Sequence, residues 1–197
     1  MSGKTGSESA GQKKGERLMK NTNQENTGLK TGQRTYWIAV NAIVAALYAS
    51  LTIAISPIAY GEIQFRVTEM LIFLAFYNKR YIPGLIIGCF LANLASPMLV
   101  YDITFGTAAT AIAVIGISFI GKIIKKETVG LFIVPVIGAL ANGLIVGLAL
   151  HLAFDIPYWI NALYVAIGEF GVLVLGAIVF LSVGKIPSIR KALYWHF

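Results

Sequence analysis

Charge is scarce in this chain. Of its 197 residues 13% are charged, against about 25% in an ordinary soluble domain, and that shortage excludes a well-solvated globular surface. Cysteine is scarcer still. Cys89 is the one thiol, so an internal disulfide is excluded, and its place in an apolar run reads as a small core residue. The two histidines, His151 and His196, stand far apart. No His/Cys/carboxylate cluster has metal-ligand spacing, and no nucleophile has a base beside it. Metal chemistry and catalysis are therefore poorly supported, and His151 reads as an interfacial residue. The phosphate-loop pattern G-x-x-x-x-G-K-[ST] is also missing, so nothing here hydrolyses ATP by that route.

What the chain has in abundance is apolar length. Hydrophobic residues make up 57% of it, and runs near 20 residues recur, the length that crosses a bilayer core of about 30 Å. The reading is an all-α integral membrane protein, a bundle of six transmembrane helices. They are "YWIAVNAIVAALYASLTIAIS" (36–56), a shorter one ending in "LIFLAFYN" (to 78), "YIPGLIIGCFLANLASPMLV" (81–100), about 103–124, "LFIVPVIGALANGLIVGLALHLAF" (131–154) and "YWINALYVAIGEFGVLVLGAIVFLSV" (158–183). Residues 1–35 are polar, without apolar periodicity, and read as a disordered tail. "LMKN" marks Met19 as the expected start, with 1–18 an appended leader. The membrane domain is then 36–184, followed by a basic and aromatic tail, 185–197, at the inner surface. No secretory signal is evident, because the first apolar run is long enough to span.

The basic residues set the orientation. With six spans, 15 of the 16 Lys and Arg fall on one face, in the N-terminal tail, at Lys79 and Arg80, at Lys122, Lys125 and Lys126, and at Lys185, Arg190 and Lys191. Positive charge collects on the cytoplasmic side, so both termini are expected there. The same pattern explains the net charge of +7 through membrane-proximal loops, with no nucleic-acid partner. Arg66 is the exception, and it lies on the outer side.

"YGEIQFRVTEM" (60–70) places Glu62, Gln64, Arg66 and Glu69 at membrane depth or at its outer rim if the second segment crosses fully. Charge in a spanning region costs about 2.5–3.5 kcal/mol near the centre and usually turns inward to pair. Arg66 and Glu69, three apart, share a helical face. They are either a structural ion pair or part of a binding pocket near the outer surface. Asn93 and Ser96 in the third segment, and Tyr101 and Asp102 at the start of the fourth, converge at that depth. Asp102 has the alternative of capping its helix. Asn142 in the fifth segment has the alternative of an interhelical hydrogen bond, and Tyr158 and Trp159 that of interfacial belt aromatics. Glu169, about a dozen residues into the sixth segment with no basic residue in its own helix, is an intramembrane acid and so a functional candidate. Its expected partner is Arg66 or a ligand with hydrogen-bond donors.

"IQFRVTEML", "ASPMLVYDITFGTAAT", "ANGLIVG" and "AIGEFGVLVLG" together resemble, in order, the signatures of the queuosine-precursor transporter (QueT-type) family, over about 38–184. The resemblance implies the substrate-binding S component of an energy-coupling factor transporter, in the bacterial cytoplasmic membrane. Such a subunit captures a deazapurine from outside and works with a transmembrane scaffold subunit and two ATP-binding cassette ATPases, which use the ATP. The chain itself is expected to need no cofactor. On that reading the candidate substrate contacts are Gln64, Arg66, Glu69, Asn93, Tyr101, Asp102, Asn142, Trp159 and Glu169. Carboxylates and carboxamides suit the donor edge of a deazaguanine, and Tyr101, Phe105 or Trp159 its flat face. Ala42/Ala46 and Ala45/Ala49 carry the small-residue spacing that allows close helix approach, and the family resemblance points it at the scaffold subunit; packing inside the bundle is the alternative. Gly84/Gly88 and Gly143/Gly147 read as internal packing. Other readings of the residues are an S component for another vitamin-like heterocycle, a stand-alone carrier with Glu169 as a proton site, and a membrane enzyme.

Overall fold

The computed structural model describes residues 31–56, 66–124 and 126–194. Gln64 and Glu62 lie outside them, as do residues 1–30. Among the described residues the chain is helical, with no strand. We label α1 Thr31–Ala54, α2 Val67–Tyr77, α3 Ile82–Asn93, α4 Leu99–Ile123, α5 Glu127–Phe154, α6 Tyr158–Val183 and α7 Pro187–Leu193. The turns of α1 up to Ala39 belong to one compact unit, in which Tyr36 and Trp37 meet edge to face. The described residues from Val40 onward form the other.

Four helices, α1, α4, α5 and α6, are long and apolar enough to cross a bilayer, which makes this a multi-pass membrane protein. α5, at 28 residues, extends about 42 Å at 1.5 Å per residue. The second and third expected segments are represented by α2 and α3. At 12 residues, α3 reaches only about 18 Å, and α2 is shorter. α1 begins at Thr31, taking in the last residues of the stretch read as polar tail.

The helix boundaries follow local chemistry. α5 ends at Asp155, which adopts the left-handed conformation at φ 55°, and Pro157 then precedes α6. Pro187 opens α7 at a position where a helix has no use for the missing N–H.

Packing depends on missing side chains. α5 and α6 pack against each other along an extensive seam. A Cβ added to Gly147 would lie 2.6 Å from Ala162 Cα, and one added to Gly143 would lie 2.9 Å from the Ala162 carbonyl oxygen. Without a hydrophobic drive between helices in lipid, such close backbone approach supplies the dispersion contacts that hold them together. α1 crosses α3 the same way: a Cβ on Gly84 would meet the Asn41 carbonyl at 2.8 Å, and one on Gly88 would meet Tyr48 Cβ at 2.7 Å. Asn41 clamps that crossing, accepting from Gly84 N at 2.6 Å and donating to the Arg80 carbonyl at 2.9 Å. Both glycine pairs thus serve internal packing. At the end of the bundle bearing α7, Tyr77 donates to Glu127 at 2.9 Å, Arg190 reaches Glu127 at 3.4 Å, and Tyr81 donates to the Ala192 carbonyl.

Candidate functional site

Six segments contribute polar side chains to one buried region. The connection entering α2 supplies Arg66, and α2 itself supplies Glu69. Its first turns are a 3-10 helix, Val67–Ile72, in which Glu69 N bonds to Arg66 O at 2.9 Å. α1 supplies Tyr48 and Thr52, α3 supplies Cys89 and Asn93, and the link to α4 supplies Ser96. α4 adds Asp102, Thr107 and Thr110. Arg66, Glu69, Asn93, Asp102 and Glu169 are all 4% exposed or less, so each ionised group must find compensation within the protein or from what it binds.

The bonds form a chain. Tyr48 and Thr110 both donate to Glu69 Oε1, Thr110 at 3.2 Å. Thr110 in turn meets Cys89 Sγ at 3.2 Å, and Cys89 receives Asn93 Nδ2 at 3.4 Å. Asn93 Nδ2 also donates to the Asp102 carbonyl at 2.7 Å and to Thr107 Oγ1 at 3.2 Å. The Asp102 carboxylate accepts from Ser96 on one oxygen and pairs with Arg66 Nη2 at 3.3 Å on the other. Thr52 and Thr68 meet at 2.7 Å beside Tyr48.

The backbone of α4 makes this geometry possible. Asp102–Gly106 is a π-turn inside the helix, a local widening common at functional sites. A Cβ on Gly106 would come within 3.0 Å of Asn93 Nδ2, so a larger residue there would crowd the Asn93 amide.

Some of the pairings differ from those the spacing suggests. Arg66 pairs with Asp102 on α4 rather than with Glu69 one turn along, because the 3-10 turn and the depth of α4 bring the Asp102 carboxylate to the guanidinium. Asp102 is not a helix cap: it makes no side-chain cap bond and sits inside the helix. Glu169 takes its hydrogen bond from Asn142 Nδ2 at 3.1 Å, a link between α5 and α6. Trp159 is 73% exposed. It faces outward, edge to Tyr158 at 4.7 Å, and lines an apolar groove of about 290 Å³ with Ala139, Gly143 and Ala166. A second groove of about 480 Å³ continues along α5 and α6 past Phe170. Tyr101 is half-buried, with its hydroxyl 3.4 Å from the Leu152 carbonyl and its ring stacked near Phe105, away from the chain of bonds around Glu69. Ala45 and Ala49 are buried against the bundle, while Ala42 and Ala46 face outward.

Tyr48, Thr52, Thr68, Thr107 and Thr110 join the network although no sequence motif singled them out. A signal existed for Tyr48: Asn41, Tyr48 and Thr52 are spaced seven and four apart, one face of α1, and the polar atoms along it mark that face as turned toward polar partners. Cys89 is packed as a small core residue, as expected, but it also links Thr110 to Asn93.

A bundle of apolar helices around a buried polar cluster is the arrangement of a membrane protein that handles a polar small molecule. Residues 38–185 match the family model described as QueT transporter. The chain is also 34% identical over 161 residues to the queuosine precursor transporter QueT of Lactococcus lactis subsp. cremoris (strain MG1363), covering 77% of this chain and 94% of the relative. No solved structure matches. The chain belongs to the QueT transporter family.

Proposed function

We propose that this chain is the substrate-binding subunit of an energy-coupling factor transporter, capturing a deazapurine precursor of queuosine from outside the cell for ATP-driven uptake. One observation carries the reading. The family match spans residues 38–185, and that stretch contains every member of the buried polar network. The name of the Lactococcus relative supports the substrate class, and transport rather than catalysis. The missing phosphate loop supports a division of labour in which a scaffold subunit and two ATP-binding cassette ATPases provide the energy. The outward-facing Ala42 and Ala46 on α1 form the surface for the scaffold helix. In this reading the chain lies in the cytoplasmic membrane with six membrane segments and with both termini inside.

Two measurements test it. The purified chain in lipid nanodiscs binds 7-deazaguanine derivatives, and Glu169→Gln weakens that binding. Uptake into vesicles requires the scaffold and ATPase subunits. Equal affinity in wild type and Glu169→Gln removes Glu169 from the site. Uptake by the chain alone favours the second reading, a proton-coupled carrier.

A further inference from the structure

The end of the bundle that carries α7 gathers positive charge from four elements. Lys79 follows α2, Lys122 lies in the last turn of α4, and Lys126 precedes α5. Lys185 precedes α7, while Arg190 and Lys191 lie in its last turn. All of these side chains are exposed. Hydrogen bonds join the elements at one place: Tyr77 of α2 donates to Glu127 of α5 at 2.9 Å, and Tyr81 donates to the Ala192 carbonyl of α7 at 3.1 Å. Among the described residues this end holds one acid, Glu127, and Arg190 reaches it at 3.4 Å. The lysines share the rim with no carboxylate of their own among those residues.

A second observation sets lipid beside that charge. Lys122 Nζ lies 5.1 Å from the centre of the Phe119 ring, which is itself 57% exposed on a helix long enough to span the bilayer. A lysine at a membrane rim lays its stem along apolar surface and keeps its ammonium at the interface. Ile123 and Ile186, 72% and 48% exposed, stand next in the chain to Lys122 and Lys185. α7 is fixed against the bundle as well: Leu193 is buried, Tyr194 meets Tyr77 edge to face at 5.1 Å, and the Arg190 guanidinium lies 5.7 Å from the Tyr194 ring. Its cations thus hold a set position relative to the ends of α2 and α5.

We propose that this end of the bundle is a binding surface for anionic phospholipid, with headgroup phosphates against the lysine ammonium groups and acyl chains against Phe119, Ile123 and Ile186. An ammonium has three donors and no acceptor, which complements a phosphodiester that only accepts. Clusters of about four to eight Lys and Arg beside a transmembrane helix attract anionic headgroups over roughly a Debye length. An acidic protein surface would satisfy the lysines but leave the exposed isoleucines unmatched, whereas an amphiphile covers both. The surface lies at the opposite ends of α2 and α4 from the buried polar network, so it does not depend on which substrate the chain carries.

The test titrates the full chain in detergent with phosphatidylglycerol or phosphatidylcholine of identical acyl chains, and native mass spectrometry counts the lipids retained. The wild type should bind phosphatidylglycerol at least about tenfold more tightly. Lys79→Gln/Lys185→Gln/Lys191→Gln, checked for folding by thermal unfolding, should bring phosphatidylglycerol down to the level of phosphatidylcholine. Lys4→Gln/Lys13→Gln/Lys14→Gln removes the same charge from the N-terminal stretch and should leave the preference intact. Equal binding of the two lipids by the wild type overturns the proposal. So does a preference that survives in the first variant, or one that the second variant loses equally, since net charge alone would then explain it. Displacement of phosphatidylglycerol by millimolar inorganic phosphate marks a site for soluble anions and overturns it too. The wild-type comparison and the phosphate competition decide even if a variant misfolds.

Discussion

The Arg66–Asp102 pair offers the sharpest test of how this protein tolerates charge in its interior. Arg66 is 4% and Asp102 1% exposed, 3.3 Å apart, so neither group has water to fall back on. Arg66→Met removes the cation and leaves the Asp102 carboxylate with the Ser96 hydroxyl as its remaining side-chain partner. Breaking a buried pair by deleting one partner costs about 3–5 kcal/mol, a large share of a total stability of about 5–15 kcal/mol. Asp102→Asn removes the carboxylate 3.3 Å from the guanidinium instead and should destabilise as well. The double variant Arg66→Met/Asp102→Asn leaves no orphaned charge. It should therefore be more stable than the summed single costs imply, by about 1–3 kcal/mol. Thermal or denaturant unfolding of the four proteins in nanodiscs, followed by circular dichroism, measures the cycle. Single variants that each lose under about 1 kcal/mol, or costs that simply add, refute the claim that these two charges are held by one another.

Three further expectations follow from separate parts of the bundle. Gly147→Ala places a methyl group 2.6 Å from the Ala162 Cα, where only backbone displacement relieves the contact, so it should cost about 1–3 kcal/mol in the same unfolding assay. Asn142→Asp sets a second carboxylate against Glu169 at the 3.1 Å contact; it should destabilise more than Asn142→Ala at neutral pH, and the difference should shrink as acidification protonates one of the two. Ala46→Leu enlarges an outward-facing residue of α1, so ligand binding by the isolated chain should stay within about twofold, while co-purification with a scaffold subunit should fall. Unchanged co-purification places the docking surface elsewhere.

Apolar run length announced a membrane bundle, and the separate positions of Arg66, Glu69, Asn93, Asp102 and Glu169 announced a polar interior. Both follow from transfer free energies, which depend on composition along one dimension and are hence legible without a fold. Which charges pair was not legible. Helical spacing nominated Glu69 for Arg66, but a 3-10 start to α2 and a π-turn in α4, neither with a clear sequence signature, delivered Asp102 to it instead. Trp159 looked like a ring to stack on a ligand and points outward, since rotation of a helix about its axis is settled by its packing partners; here the α5–α6 seam of Gly143, Gly147 and Ala162 turns the other face inward. The alanine pattern of α1 divided for the same reason. Its two registers sit on neighbouring faces of the helix, and only the crossing with Gly88 of α3 decided that Ala45 is inside and Ala46 outside.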